Sequence, residues 1–356
     1  MSTRSNAESG DTMSLANTYR PHTWEDVVEQ GLTVKILRSV CSDPSLPCRN
    51  FLLTGSQGVG KTTLSKIAAR SLNGGEDGEV IEVDAATNGT AEAIRELTQQ
   101  AKTYPLTGNV KTIILDECHA LSSAAWSALL STIENQPART CWFFCTTNPE
   151  KIPKTILSRV QQFQLSKISL SGIIERMKYI LDKEKEKGEN LTYTDDGIAF
   201  IAKLANGGLR DALTLLDKTL MYSKDISSES VTASLVMFDY DDFFKMLGAI
   251  SKHDNTAIAD TVDRVYNSGT NFVKWFDDFH SFVLNVAKYI VVRDIDRTMI
   301  PAHYTDKLAK YNMNHYTVCL RLANILLSLC QELRTTNYQQ EVALTRLLTT
   351  PKKEVG

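Results

Sequence analysis

The sequence predicts an α/β fold in which a parallel sheet lies between helices, followed by two segments that are entirely helical. Three observations support this prediction. Four short apolar runs alternate with helical periodicity between Asn50 and Leu165, a glycine-rich turn follows the first run, and no strand-like run occurs after Leu165. With 356 residues, the chain is long enough for two or three domains.

Composition and charge exclude several classes of protein. Hydrophobic residues make up 42% of the chain and no run of about 18 apolar residues occurs, so we expect no membrane segment and a cytoplasmic location. The net charge of -3 argues against binding of nucleic acid through bulk positive charge, so any DNA contact must be local. The 7 cysteines form no CxxC pair, which indicates neither a disulfide framework nor a zinc site.

The first predicted elements are a tail and an α/β domain. Residues 1–14 are small and polar, which predicts a disordered tail, and Met13 is a second candidate start. Residues 15–166 form the predicted α/β domain, whose strands begin at Phe51, Val80, Thr112 and Cys141. Between the last two strands, an apolar helix face is predicted that packs on the sheet; it consists of Trp126, Leu129, Leu130 and Ile133.

The rest of the chain is predicted to be helical, as a small domain over 167–226 and a larger one over 227–356. The charged run Lys183 to Gly188 is interpreted as a solvated last helical turn that is capped by the glycine. The SSES sequence at Ser227 predicts a helix N-cap. A stripe that faces the core or another subunit is predicted at Leu322, Ile325, Leu326 and Leu329.

The turn after the first apolar run matches a phosphate-binding loop. The segment from Gly55 to Thr62 fits GxxxxGK[ST], follows a predicted strand and precedes a helical pattern. In such a loop, backbone N–H groups bind phosphates, the lysine neutralises the β and γ phosphates, and the hydroxyl binds Mg²⁺. We therefore expect ATP and Mg²⁺, with contacts from Gly55, Gln57, Gly58, Val59, Gly60, Lys61, Thr62 and Thr63, of which Lys61 is also catalytic and Thr62 a metal ligand.

Two carboxylates follow the predicted strand at Thr112. Asp116 is expected to hold Mg²⁺ through water, and Glu117 is placed to act as general base on the attacking water. The run from Asp116 to His119 also spells DECH, which occurs in superfamily 2 helicases. Those helicases need a second nucleotide-binding lobe with its own strands, so we interpret His119 as a surface or domain-contact histidine.

The stretch from Val80 to Leu165 resembles the gamma/tau subunit family of bacterial DNA polymerase III, which are clamp-loader ATPases of the AAA+ class. The matching sequence segments are IEVDAATNGTAEAIREL, TIILDECHALSSAAWSALLSTIENQP and CTTNPEKIPKTILSRVQQFQL. Replication factor C subunits are more distant relatives in this resemblance. The match extends to Tyr19-Arg20-Pro21 and to Gly207–Ala212, and so covers most of the chain. It implies an AAA+ domain at 15–166, a lid at 167–226 and a collar for oligomerisation at 227–356.

The resemblance also implies roles for individual residues. These are adenine contacts at Tyr19, Arg20, Pro21 and Val28, sensor 1 at Thr147 with Asn148 beside it, an arginine finger at Arg159 that acts in trans, and sensor 2 at Arg210 that acts in cis. Val160 stands where the family's Ser-Arg-Cys motif has cysteine. A surface ion pair is the alternative role for each of the two arginines Arg159 and Arg210.

As a function, the resemblance implies an ATP-hydrolysing clamp-loader subunit in a pentameric, ring-like assembly that opens a sliding clamp and places it on primer-template DNA. Hydrolysis would be stimulated by DNA and clamp. Candidate DNA contacts are Asn88, Gly89, Thr90 and Arg95, since polar groups and helix-terminal N–H groups suit phosphates. A solvated loop with a helix cap is the alternative for this segment.

Two departures from the family pattern stand out. The segment Leu72 to Glu79 reads LNGGEDGE in place of a four-cysteine zinc module, so no zinc is expected, and the chain ends at Gly356 without the tau extension. A shortened protein of bacteriophage or plasmid origin would fit this pattern. Two other functions stay open, namely another AAA+ motor such as a Holliday-junction branch-migration ATPase, and an ATP-binding assembly scaffold with little hydrolysis.

Overall fold

A five-stranded parallel sheet organises the N-terminal half of the computed structural model, which describes residues 14–42, 50–235 and 240–348. Its strands are β1 (Asn50–Thr54), β2 (Val80–Asp84), β3 (Lys111–Asp116), β4 (Thr140–Thr146) and β5 (Gln161–Gln164), in the sheet order β2, β3, β4, β1, β5. The four strands predicted from apolar runs are confirmed. Strand β5 was not predicted, because its sequence QQFQ offers a single apolar residue among glutamines.

Helices surround and follow this sheet. The first group is α1 (Leu15–Thr18), α2 (Gly31–Cys41), α3 (Lys61–Leu72), α4 (Ala85–Asn88), α5 (Ala91–Ala101), α6 (Ser123–Glu134) and α7 (Lys154–Leu157). The second group is α8 (Leu170–Glu186), α9 (Asp195–Leu204), α10 (Leu209–Tyr222) and α11 (Ser228–Ser234). The third group is α12 (Tyr240–Lys252), α13 (Asn255–Asn267), α14 (Phe272–Val292), α15 (Thr305–Leu308), α16 (Met313–Leu333) and α17 (Gln339–Leu348). This order confirms the predicted fold class, a parallel sheet with helices followed by a helical region.

The central strands β1, β3 and β4 are buried on both faces, as strands of parallel sheets generally are, whereas the edge strands β2 and β5 are partly exposed. On one face, Ile113, Trp142 and Phe144 pack with apolar residues of α5 and α6, including the predicted Trp126. On the other face, strand residues such as Phe143 pack with α2 and α3. Successive side chains of a strand point to opposite faces, which is why unbroken apolar runs form these strands.

The carboxyl ends of the strands meet at one edge of the sheet. Thr54 lies in register with Thr146, and Asp84 lies in register with Asp116. The glycine-rich loop leaves β1 directly after Thr54. Open parallel sheets bind ligands at this edge, so the register brings the predicted phosphate loop and carboxylates together.

The chain forms two compact units, one of Met1–Glu189 with Ala205–Asp217 and the other of Asn190–Leu204 with Lys218–Gly356. The division into domains at 15–166, 167–226 and 227–356 stays a prediction. Residues 1–13 of the predicted tail and residues 236–239 and 349–356 of the predicted collar lie outside the described residues.

The second unit contains a small parallel pair, β6 (Thr192–Tyr193) and β7 (Asp225–Ile226). The prediction that the chain is entirely helical after Leu165 is wrong at this point. Strands of two residues leave no periodicity that a sequence pattern could reveal. The predicted N-cap is confirmed, because Ser227 forms a capping box with Ser230 at the start of α11.

An aromatic-rich core fills the rest of the second unit. Phe243 contacts the rings of Trp275, Phe279 and Phe282 at centroid distances of 5.2 to 5.6 Å. The predicted stripe on α16 faces this core, since Leu322, Leu326 and Leu329 are fully buried and Ile325 is partly buried. A core of this kind stabilises the unit mainly through burial of apolar surface.

Across the described residues, no helix is long and apolar enough to cross a membrane. Six cysteines in those ranges are buried and form no disulfide, and Cys48 lies outside them. Within the same ranges, no group of three or more His, Cys, Asp or Glu side chains is arranged to hold a metal ion.

Candidate active site

A cavity of about 500 Å³ opens at the carboxyl edge of the sheet. It is lined by Ala16, Asn17, Tyr19, Arg20, Pro21, Val27, Val28, Gln57, Gly58, Val59, Gly60, Lys61, Thr62, Thr63, Leu64, Glu82, Asp84, Asp116, Glu117, Ile168, Leu209, Arg210 and Leu213. Every predicted nucleotide contact lines it except Gly55, whose carbonyl accepts a hydrogen bond from Lys61 Nζ at 2.9 Å. The predicted Thr147 and Arg159 do not line it.

The glycine-rich loop needs its glycines for two different reasons. Gly60 precedes α3 at φ 104°, a left-handed conformation that residues with a Cβ rarely adopt. A Cβ on Gly58 would lie 3.1 Å from Asp211 Oδ2 and 3.2 Å from Gly208 Cα, which is tight. The loop therefore starts α3 without a capping side chain, and the first N–H groups of that helix face the cavity.

Two contacts fix the polar side chains of the loop. Lys61 is 6% exposed, and its ammonium also donates to Ser56 O at 2.9 Å. Thr62 Oγ1 donates to Asp116 Oδ2 at 2.6 Å, which joins the start of α3 to the end of β3. The predicted metal ligands thus lie side by side in the structure.

These groups fit a magnesium-bound nucleoside triphosphate. The start of α3 presents uncapped N–H groups, which suit phosphate oxygens, and space remains around Gly60 for a phosphate to approach the backbone. The hydroxyl of Thr62 and the carboxylate of Asp116 are oxygen donors of the type that Mg²⁺ takes, usually together with waters and substrate phosphates.

Glu117 has a strained backbone next to this pair. Its φ of 45° lies in the left-handed region, which costs a non-glycine residue about 1 to 2 kcal/mol. Two hydrogen bonds hold it there, one from Glu117 N to Asp116 Oδ1 at 3.0 Å and one from Ala120 N to Glu117 O at 2.9 Å. Strain of this kind is concentrated at functional sites.

The Glu117 carboxylate contacts residues from two elements. Thr147 Oγ1 lies 3.2 Å from Glu117 Oε2, and His119 Nδ1 lies 3.2 Å from the same oxygen. The interpretation of His119 as a surface or domain-contact histidine is wrong. The short 3₁₀ turn Cys118–Ala120 folds the histidine back toward the end of β4, where it also contacts Thr146 Oγ1 at 3.1 Å.

Two buried thiols lie behind the carboxylates. Burial raises the pKa of the Cys118 thiol well above its usual range and that of Cys145 to about 12. Both thiols are therefore neutral at physiological pH, and neither is a nucleophile for the cavity.

On the side predicted to hold adenine, Tyr19 is fixed by the last turn of α8. Its hydroxyl donates to Glu184 Oε1 at 2.6 Å, and Lys187 Nζ lies 4.8 Å from the ring centroid. Burial, followed by the bond to Glu184, raises the pKa of Tyr19. The run at Lys183 to Gly188 is therefore more than the solvated turn that was predicted, although Gly188 does follow the helix at φ 98°.

The two cavity arginines have different surroundings. Arg20 Nε donates to Thr63 Oγ1 at 3.2 Å, which joins the YRP segment to α3. Arg210 is exposed at the start of α10, and its backbone N lies 3.5 Å from Gly58 O. The sensor 2 candidate thus lies beside the phosphate loop.

Arg159 lies away from the cavity, at the end of α7. Its Nη1 donates to Thr155 O at 2.7 Å, and its Nη2 lies 2.7 Å from Glu134 Oε1 at the end of α6. The guanidinium-bearing side chain remains 36% exposed. Within its own chain, Arg159 thus has the surface ion pair that was considered as an alternative.

The predicted DNA contacts lie at the junction of α4 and α5. Thr90 caps α5 by accepting a hydrogen bond from Ala93 N at 3.2 Å, and Arg95 pairs with Glu92 at 3.2 Å. Asn88 is exposed at the end of α4, and Gly89 follows it. The helix cap that was considered as the alternative role of this segment is therefore present at Thr90.

Several cavity residues were missed from the sequence. The sequence could have revealed Glu82 and Asp84. They are two residues apart, so they lie on the same face of β2, and Asp84 is the last residue of that strand, at the same sheet edge as Asp116. The sequence could not reveal the apolar lining residues Ile168, Leu209 and Leu213, because an apolar residue that lines a cavity has the same sequence signal as one in a core.

Comparisons with known proteins found sequence similarity to subunits of DNA polymerase III. A family model described as DNA polymerase III, delta subunit, matches residues 76–169, and one described as DNA polymerase III clamp loader subunit, ATPase lid domain, matches residues 172–225. DNA polymerase III subunit gamma/tau of Mycoplasma genitalium is 30% identical over 350 residues, which cover 87% of this chain and 58% of that protein. Subunit tau of Bacillus subtilis is 28% identical over 95% of this chain and 63% of its own length.

The resemblance to the gamma/tau family is thereby confirmed, and the chain spans 58% and 63% of the lengths of these two relatives. Among solved structures, the Thermotoga maritima RuvB Holliday junction branch migration motor matches with a TM-score of 0.51 at 20% identity, covering 65% of this chain and 79% of that chain. A single-residue mutant of the same motor matches with a TM-score of 0.51 at 17% identity, covering 72% of this chain and 91% of that chain. At such identity, these matches show a shared fold.

Proposed function

We propose that this chain, which resembles the gamma/tau subunits of DNA polymerase III over most of its length, is an ATP-hydrolysing subunit of a sliding-clamp loader. It opens a clamp and places it on primer-template DNA. The single observation that best supports hydrolysis is the contact of Thr62 with Asp116 at 2.6 Å in the cavity that Lys61 and Glu117 also line.

The residues of this chain divide the work at the triphosphate. When bound, Mg²⁺ supplies positive charge that neutralises the β and γ phosphates. Lys61 and the first N–H groups of α3 would bind the phosphates, and Thr62 and Asp116 would hold the metal. Glu117 orients and deprotonates the attacking water, while Thr147 contacts the γ phosphate or that water.

In this proposal, the adenine side of the cavity is formed by Tyr19, Arg20, Pro21 and Val28. Arg210 contacts the γ phosphate in cis, and this links the state of the nucleotide to the lid. Its position beside Gly58 supports that role.

Arg159 completes the site of a neighbouring subunit. It lies outside the cavity of its own chain, and its partly exposed guanidinium can approach a second molecule. An arginine supplied in trans stabilises the charge that spreads over the transferred phosphoryl group. The proposed assembly is a pentameric ring in the cytoplasm, with residues 227–356 as its collar.

DNA stimulates hydrolysis in this proposal, and it is not chemically changed. The proposed contacts with the DNA phosphates are Asn88, Gly89, Thr90 and Arg95. The exposure of Asn88, Thr90 and Arg95 supports their availability.

The test is a steady-state ATPase assay of the purified assembly, with and without primed DNA and clamp. We expect hydrolysis that rises when both are added, together with loading of the clamp on the primed DNA. Hydrolysis that is indifferent to clamp and primer would contradict the loader function. A branch-migration motor would instead be stimulated by four-way junctions, and an assembly scaffold would bind ATP without turnover.

A further inference from the structure

We propose that His119 is a positioning residue that orients the Glu117 carboxylate for its role as general base. The inference rests on the proposed function, since it concerns the hydrolytic step. His119 Nδ1 lies 3.2 Å from Glu117 Oε2, and the two side chains are 19% and 33% exposed. The same Nδ1 forms a hydrogen bond with Thr146 Oγ1 at 3.1 Å, and Thr146 is fully buried.

The contact assigns the proton of the imidazole. An ionised carboxylate only accepts hydrogen bonds, so a bare Nδ1 at 3.2 Å would place two lone pairs against each other. A proton on Nδ1 makes the same contact attractive, because a hydrogen bond to an ionised group is stronger than one between neutral groups. We therefore place the hydrogen on Nδ1, where the carboxylate of Glu117 and the hydroxyl oxygen of Thr146 share it.

The second neighbour of Glu117 is Thr147, whose hydroxyl is also shared between two acceptors. Thr147 has one hydroxyl hydrogen and two acceptors, since Asn148 Oδ1 lies at 2.8 Å and Glu117 Oε2 at 3.2 Å. The shorter distance favours Asn148, so the Thr147 hydroxyl does not hold the carboxylate alone, and the Nδ1–H of His119 supplies a further contact to the same oxygen. Asn148 is itself fixed, because its backbone N donates to Thr146 Oγ1 at 3.0 Å.

Both contacts fall on the same oxygen of Glu117. Oε2 receives His119 and Thr147, so Oε1 keeps its lone pairs for a water in the cavity. A carboxylate with one oxygen fixed is pre-organised as a base, whereas one that rotates freely loses the geometry on which the rate depends. Thr146 and Thr147 follow one another at the end of β4, so the strand that carries sensor 1 also fixes His119.

The experiment compares three variants at His119 in the full chain within its loader assembly. In His119→Asn, the side-chain Nδ2 is bonded to Cγ, as Nδ1 is in histidine, so an N–H donor is retained near the same position. His119→Ala removes the donor, and His119→Asp places a like charge beside Glu117. We expect kcat to fall roughly 10- to 100-fold in His119→Ala, further in His119→Asp, and about 3-fold or less in His119→Asn. The Kd for ATP should stay within about 2-fold of wild type, because only orientation at the reacting centre is changed.

A double-mutant cycle separates positioning from a general loss of structure. In a Glu117→Gln background, His119→Ala should cause little additional loss of single-turnover rate, because the two residues act as a unit. His253→Asn is the matched control, since His253 lies in a turn of the second unit at φ 54°, a conformation that asparagine tolerates, and it should retain wild-type kcat.

The outcomes separate this inference from the proposed function. A His119→Ala kcat equal to wild type would overturn the inference alone, as would a His119→Asn variant as slow as His119→Ala. The inference would also be overturned if His119→Ala lowered the single-turnover rate by the same factor in the Glu117→Gln background as in the wild type. A wild-type assembly that hydrolyses no ATP would overturn the proposed function, and the inference with it.

Discussion

The cavity and the end of α7 differ in what one chain supplies. In the cavity, Lys61, Thr62 and Asp116 are already held in place by contacts within the same chain. At the end of α7, Arg159 lies away from that cavity and pairs with Glu134 on the surface. The difference teaches that, in the proposed mechanism, one chain supplies the groups for binding and for base chemistry, whereas Arg159 would act only on a phosphate that another molecule brings to it.

The largest expected effect comes from Arg159→Ala. In the assembly, hydrolysis at the neighbouring site should fall about 10³-fold or more, because the developing charge loses its guanidinium. ATP binding by the variant chain itself should be unchanged, and equilibrium binding of a labelled ATP analogue measures this. Arg70→Ala is a matched control, since Arg70 is similarly exposed at 39% and pairs with Asp77 at 2.6 Å. Equal losses in the two variants would argue that Arg159 is only a surface ion-pair partner.

Next in size is Glu117→Gln. Removing the general base should lower kcat by about 10²- to 10⁴-fold while ATP still binds. The amide keeps the shape of the side chain and the left-handed backbone at φ 45°. Single-turnover kinetics with a parallel binding titration measure the two effects separately. A loss of ATP affinity equal to the loss of rate would show that Glu117 acts in binding instead.

A smaller effect is expected from Glu134→Gln. The ion pair with Arg159 is partly exposed on both sides, so its loss should lower the free energy of unfolding by about 1 kcal/mol or less. Because Arg159 keeps its bond to Thr155 O at 2.7 Å, hydrolysis in the assembly should persist. Urea unfolding and an ATPase assay check both points. A Glu134→Gln assembly as inactive as Arg159→Ala would mean that the ion pair itself is needed.

The smallest effect concerns the thiols behind the cavity. Burial raises the pKa of Cys145 to about 12, so in mildly alkaline buffer its reactive thiolate is scarce and inaccessible. Native protein should therefore resist alkylation at Cys118 and Cys145, and denatured protein should react at both. Mass spectrometry after iodoacetamide treatment measures this. Rapid native alkylation would show that this side of the cavity is less closed than the structure indicates.

Much of the cavity could be predicted because its signals are local in sequence. The phosphate loop follows an apolar strand, and Asp116 and Glu117 end another, so motif and strand order together place them at one edge. Strand β5 was missed because its glutamines do not resemble a buried strand. The contact of His119 with Glu117 was missed because a 3₁₀ turn, which the letters DECH do not reveal, brings its ring to that carboxylate.

The most direct test of the central claim mixes two inactive chains. Glu117→Gln has no base but keeps Arg159, and Arg159→Ala keeps its base but has no arginine to offer. If Arg159 acts on a neighbour, assemblies that contain both chains will hydrolyse ATP well above the average of the two separate variants. If mixing restores no activity, Arg159 acts in its own site or not at all, and the division of labour described above is contradicted.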